Sequence, residues 1–207
     1  MNIAVTGGIG SGKSMVAGAL GEMVHGVVVS ADSICRELLA VGNPGWLGMQ
    51  EEFPADFFLA DGNVNRPLLR KAIFSDPILR DRLDAILHPL ARQELLRHFI
   101  DAQKEKRDLV AEVPLLFEKG WQADFDLTVV VFADEELCVQ RIVTRDNVST
   151  EEARLSLASQ MPLVEKSKLS DFVIDNSGTV AVTLEQLHDL LEKLPDSSYF
   201  KRKRNES

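Results

Sequence analysis

Eight residues near the start of the chain, Gly7-Gly8-Ile9-Gly10-Ser11-Gly12-Lys13-Ser14, constrain it more than any other segment. They fit the pattern G-x-x-x-x-G-K-[ST], with a strand-like apolar stretch at Asn2–Thr6 before them and a helical pattern from Lys13 to about Met23 after them. Glycines at these positions allow backbone angles closed to other residues and let successive N–H groups converge on phosphate oxygens. A helix beginning there adds its positive end to the same point. Lys13 then supplies a point charge for the β- and γ-phosphates, and the Ser14 hydroxyl a magnesium ligand. A chance glycine-rich turn before Lys-Ser would not need both flanking elements.

The rest of the chain alternates strands and helices. Val27–Val29, Asp108–Val113, Leu127–Phe132 and Phe172–Ile174 read as strands, and the continuous β-branched run at 127–132 suits a strand buried on both faces. Asp134 and Glu135 open a helix with acids at its positive end. Val180, Leu184, Leu187, Leu191 and Leu194 mark the apolar stripe of a last helix. The pattern predicts an α/β fold of the P-loop NTPase type, a five-stranded parallel sheet with helices on both faces. Residues 1–34, 107–140 and 169–195 form its nucleotide-binding core. A long helical insert, 35–106, is too large for a simple crossover and reads as an acceptor lobe. Turn signals at Asp61-Gly62-Asn63, Asp76-Pro77 and His88-Pro89 cut it into pieces. A shorter helical excursion, 141–168, reads as a lid, and 196–207 as a flexible basic tail.

The net charge is −9, yet Lys201, Arg202, Lys203 and Arg204 stand against Glu206 alone at the end, so the first 200 residues carry 19 basic and 31 acidic groups. So acidic a body is a poor general binder of nucleic acid. No apolar run approaches a membrane span, and no cleavable leader pattern opens the chain, so a cytoplasmic protein without a membrane partner is expected, as a monomer or small homo-oligomer. Cys35 and Cys138 make no CxxC and read as reduced, mostly buried thiols.

Nucleotide switches and kinases share the phosphate loop. A GTPase needs D-x-x-G after its third strand and N-K-x-D for guanine. Asp175-Asn176-Ser177-Gly178 matches the first in letters but follows the last strand, and no N-K-x-D exists. A regulatory module in which ATP only drives a shape change is a further class with the same loop. A small-molecule kinase needs an acid near the acceptor hydroxyl, cations over the γ-phosphate and a lobe for the acceptor. Asp32, just beyond the second strand, is the acid; it could accept a proton or order magnesium, or it could merely cap a helix. Glu112, ending the third strand, is a second acid that could hold magnesium through water or simply be solvated. Arg141 and Arg145, at i, i+4, share a helix face and could close on ATP phosphates or pair with Asp134, Glu135 or Glu152. His88 reads as a packed or capping group, and His25, His98 and His188 as surface or structural. Trp46, Phe53, Phe57 and Phe58 read as the core of the insert, although some could stack an adenine or pantetheine.

Taken together, these residues resemble the dephospho-CoA kinase family over nearly the whole chain. The resemblance runs through Thr6–Ser14, Ala31-Asp32, Leu87-His88-Pro89-Leu90 and Val113-Pro114-Leu115-Leu116-Phe117-Glu118. It continues at Arg141 with Arg145-Asp146, Gln160-Met161-Pro162-Leu163 with Glu165-Lys166, and Val173–Gly178. It implies transfer of the γ-phosphoryl of ATP, with Mg2+, to the ribose 3′-hydroxyl of dephospho-CoA. It also implies roles. Lys13, Asp32 and Arg141 would be catalytic, Asp32 as general base. Gly8, Gly10, Ser11, Gly12, Lys13, Ser14, Met15, Arg145 and Asn176 would hold ATP, Asn176 near the adenine. Asp32, His88, Pro114, Leu115 and Leu116 would meet the acceptor, and Ser14 the metal. Two positions depart from the family. Met15 stands where a threonine is usual, leaving only a backbone N–H for the α-phosphate. Ser30-Ala31-Asp32 stands where Asp-Ala-Asp is frequent, so the first acid is lost.

Overall fold

The structure is a computed structural model and describes residues 1–194. The basic tail and Pro195 lie outside the described residues. In chain order the elements are β1 (Asn2–Gly7), α1 (Lys13–Met23), β2 (Val27–Ser30), α2 (Ala31–Leu38), α3 (Pro44–Glu52), α4 (Arg66–Ser75) and α5 (Pro77–Lys104). There follow β3 (Leu109–Glu112), β4 (Leu127–Phe132), α6 (Glu135–Asp146), α7 (Thr150–Ala158), α8 (Leu163–Leu169), β5 (Phe172–Asp175) and α9 (Val180–Lys193). The five strands form one sheet in the order β2-β3-β1-β4-β5. β1 pairs in parallel with β3 (Ala4 with Ala111) and with β4 (Val5 with Val129), and β4 with β5 (Val131 with Ile174). With β1 at the centre, the segment after Gly7 emerges at the carboxyl edge of the sheet, where ligands of open α/β folds bind.

The chain divides into two compact units, 30–101 and the remainder. In the sheet-bearing unit, Ile3 and Val5 of β1 and Leu127, Val129 and Val131 of β4 pack with Val16 and Leu20 of α1 and Leu187 and Leu190 of α9. The alternate residues Ala4, Thr128 and Val130 are buried as well, so both faces are covered, as the apolar run of β4 requires. α6 and α7 pack through Val139, Ile142 and Ala153. Ser149 and Glu152 make a capping box that starts α7. Cys138 is buried and unpaired with any disulfide partner, and Cys35 is half-buried and likewise free.

The 30–101 unit has its own core of Met49, Phe53, Val64, Leu69, Leu83 and Leu87. Trp46 and Phe58 meet edge to face at 6.2 Å, as do Phe53 and Phe57 at 5.6 Å. The Trp46 indole N–H donates to the Gly62 carbonyl at 2.8 Å, so the aromatics of the insert are core residues with their polar handles satisfied. The turn read at Asp61-Gly62-Asn63 is present, but the helical reading fails around it, from 53 to 60. A 3-10 turn at Ala55–Phe57 and a Phe58–Val64 bridge replace it. Gly62, at φ 83, closes this turn. The expected break at His88-Pro89 does not occur either: α5 runs 28 residues with Pro89 inside. Proline there removes one ladder bond and costs about 3 kcal/mol. Leu83, Leu87, Ala91, Leu95 and Phe99 are buried at every fourth position, and that burial outweighs one broken turn.

Candidate active site

The loop Gly8–Gly12 leaves β1 and enters α1 directly, with Gly12 as the N-cap at φ 87. A Cβ on Gly12 would lie 2.2 Å from Asn176 Nδ2, and one on Gly10 2.7 Å from the Cys138 carbonyl oxygen. Glycine is therefore required at both places by backbone angle and by close approach. The reason for the approach is a clamp on the carbonyl oxygens of the loop. Asn176 Nδ2 donates to the Ser11 carbonyl at 2.7 Å. Arg141 Nη1 donates to the Gly10 carbonyl at 3.2 Å, and its Nη2 to the Asn176 carbonyl at 3.1 Å. Asn176 is itself held, its Oδ1 by the Thr183 hydroxyl at 2.9 Å and its N–H by the Phe132 carbonyl at 2.8 Å. A trans peptide points its N–H opposite to its C=O, so fixing the Ser11 carbonyl outward turns the Gly12 N–H inward.

Inward lies a cavity of about 540 Å³ lined by Gly10, Gly12, Lys13, Ser14, Arg141 and Arg145. Lys13 Nζ reaches back to the Gly8 carbonyl at 3.4 Å. The Ser14 hydroxyl donates to Glu112 Oε1 at 2.7 Å. Arg145 makes a two-pronged bond to Asp146, at 2.9 and 2.8 Å, and that carboxylate strengthens its hold on its proton. Neither Arg141 nor Arg145 takes the surface partners considered from spacing; Arg154 pairs with Glu135 and Glu136 instead. A hydroxyl and a carboxylate in contact are the hard oxygen donors that Mg2+ takes, completed by water and phosphate oxygens. The described residues contain no cluster of three or more acidic, histidine or cysteine side chains for a metal.

Other predicted residues fall elsewhere. Ser11 is fully buried and its hydroxyl has no partner among the described residues. Its N–H donates to the Gly8 carbonyl at 3.2 Å. The Met15 side chain packs against the main core, and its N–H is 3.1 Å from the Gly12 carbonyl. Gly8 faces the Leu163 side chain, 3.4 Å from where a Cβ would stand. After β3, Pro114 and Leu115 are half-buried while Leu116 is wholly interior. Asp32 and His88 belong to the 30–101 unit. Asp32 stands exposed in the first turn of α2, and among the described residues its carboxylate accepts no capping N–H. His88 Nε2 lies 3.4 Å from Asp84 on the preceding turn of α5. Burial, then Asp32, then Asp84 push the Cys35 thiol up to about 11, which disfavours its thiolate form.

Three further residues, Gln160, Lys166 and Glu118, entered the sequence reading only as part of the resemblance, with no role of their own. Gln160 Oε1 accepts the Ile9 N–H at 3.0 Å, and Lys166, with none of its side chain exposed, pairs with Glu118 at 2.8 Å. Their segments were visible in the sequence, but nothing in the spacing marks a lysine as buried.

A phosphate loop closing a five-stranded sheet, a serine–glutamate pair beneath it and two arginines beside it define a nucleotide-binding phosphotransferase of the P-loop class. The family model described as dephospho-CoA kinase matches residues 1–181. A dephospho-CoA kinase of Desulfotalea psychrophila is 41 % identical over 90 % of this chain and 94 % of its own length. One of Syntrophotalea carbinolica is 40 % identical over 93 % and 91 %. Among solved structures, a protein of Thermus thermophilus superposes with a TM-score of 0.76 at 32 % identity, covering 94 % of this chain and 97 % of its own. The dephospho-CoA kinase of Campylobacter jejuni gives 0.67 at 26 %, over 93 % and 96 %. The chain belongs to the dephospho-CoA kinase family. No helix among the described residues is long and apolar enough to cross a membrane.

Proposed function

We propose that this enzyme transfers the γ-phosphoryl group of ATP to the ribose 3′-hydroxyl of dephospho-CoA, yielding coenzyme A and ADP. The observation that carries the reading is the Ser14–Glu112 contact of 2.7 Å at the mouth of the phosphate cradle, in a chain the family model matches over 1–181. In the reaction the oxygen between Pβ and Pγ leaves with ADP, and the acceptor oxygen bonds to Pγ. The acceptor proton passes to a base.

Lys13 and the amide of Gly12 support the phosphates, and Arg145 adds charge at the cavity wall. Arg141 keeps the loop in its phosphate-binding form and adds positive charge where negative charge grows. Asn176 fixes the loop from behind and sits beside the adenine end. Ser14, hydrogen-bonded to Glu112, would hold Mg2+, which would supply positive charge against the phosphates. Asp32 takes the acceptor proton, a role suited to an exposed carboxylate that caps no helix among the described residues. Pro114 and Leu115 line the acceptor side, with Leu116 behind these two in the interior, and His88 of the 30–101 unit meets the acceptor as well. The enzyme works in the cytoplasm, as a monomer or small homo-oligomer.

Purified protein given ATP, Mg2+ and dephospho-CoA should form CoA and ADP in equal amounts. Absence of turnover there, with turnover on a nucleoside or small hydroxy acid, would reassign it to another P-loop small-molecule kinase.

A further inference from the structure

Lys166 is the one fully buried cation among the described residues, and the chemistry above does not use it. Its Nζ is 2.8 Å from Glu118 Oε1 and 2.7 Å from the Pro114 carbonyl oxygen. The Met161 N–H donates to the same Glu118 oxygen at 3.0 Å. The Pro114 carbonyl also accepts from the Thr6 hydroxyl at 3.3 Å, on the strand that feeds the cradle. Six residues before Lys166, Gln160 takes the Ile9 N–H at 3.0 Å, and between them Leu163 lies against Gly8. One short segment, 160–166, thus grips the phosphate cradle with one end and the loop after β3 with the other.

Stability alone is a poor reason for such a pair, because apolar side chains of the same volume commonly serve as well or better. What an ion pair adds is direction: the hydrogen bonds on Lys166 and Glu118 fix where the Pro114 carbonyl sits. We propose that Lys166, Glu118 and Gln160 are positioning residues, a bracket that holds the Pro114 loop at a set distance from the cradle and so aligns the acceptor with the γ-phosphoryl group. The inference rests on the reading above, in which Pro114 and Leu115 line the acceptor side.

A loosened bracket has a distinctive consequence. In transfer, Pγ leaves ADP for the ribose oxygen and the hydroxyl proton goes to Asp32. When the acceptor is out of line, a water oxygen takes Pγ instead and the products are ADP and inorganic phosphate. Partial unfolding lowers transfer and hydrolysis together and leaves their ratio unchanged; misalignment changes the ratio.

The test compares ADP released with CoA formed, on the full chain, for wild type, Lys166→Met/Glu118→Met and Gln160→Ala. The double variant removes both charges, so no lone charge stays buried, and Gln160→Ala touches no buried charge at all. Both should lower kcat for transfer, by up to about 10²-fold, and raise ADP per CoA by about 10-fold or more. A wild-type ratio in Gln160→Ala, or in the double variant with a cooperative melt, would overturn the bracket. If the double variant does not fold, Gln160→Ala decides alone. Failure of wild type to make any CoA would instead strike the functional reading.

Discussion

Ser14 and Glu112, 98 residues apart in sequence, meet through a 2.7 Å hydrogen bond because β1 and β3 are neighbours in the sheet. Nothing in the sequence distance favours the contact; the parallel register creates it. In the proposed reading it sets Glu112 beside the hydroxyl that would hold Mg2+. Glu112→Gln should raise the Mg2+ concentration for half-maximal activity by about 10–100-fold while the protein melts normally. Titrating Mg2+ at saturating ATP measures it, and an unshifted titration would return Glu112 to an ordinary solvated acid.

Arg141 is a clamp as well as a charge. Its guanidinium holds the carbonyls of Gly10 and Asn176, so its loss frees the loop on its outer side. Arg141→Ala should cost about 2 kcal/mol, a fall in Tm of about 4–8 °C, and should lower kcat by about 10³-fold. Calorimetry with steady-state kinetics separates the two effects. An unchanged melt would confine Arg141 to phosphate chemistry.

In the proposed reaction Asp32 takes the acceptor proton. Asp32→Asn should leave ATP binding near normal and lower kcat by about 10²-fold. ATP titration by calorimetry and a kcat measurement suffice, and an unaltered kcat would return Asp32 to a first-turn residue of α2.

Much of this was legible in the sequence, and the misses have physical causes. The cradle and the strand at 127–132 could be read because their chemistry is local: glycine angles, β-branched burial, a helix start. Pro89 misled because a local break signal was set against a buried stripe along α5 that only packing reveals. The segment 53–60 misled because an apolar, aromatic run has no strong period, whereas the turn at Asp61-Gly62-Asn63 was legible from its residues. Arg141 and Asn176 were found as residues, but their grip on backbone carbonyls depends on the approach of α6 and the β5 end to the loop. Lys166 shows the same limit, since burial of a lysine follows from its partners, which sit far off in sequence.

Cys35 offers a check on the 30–101 unit. With its thiol pushed up to about 11, it holds about a hundredfold less thiolate at pH 8 than an ordinary cysteine. Iodoacetamide should therefore label it slowly in the native protein and quickly after denaturation. Rapid native labelling would mean that the unit opens readily or that the thiol is not half-buried beside Asp32 and Asp84.

The most direct measurement is the product itself. Incubation with ATP labelled at the γ-phosphorus, Mg2+ and dephospho-CoA should place the label on the ribose 3′-oxygen of newly formed coenzyme A, one label per ADP. Label found only in inorganic phosphate, or only on some other hydroxyl acceptor, would contradict the account.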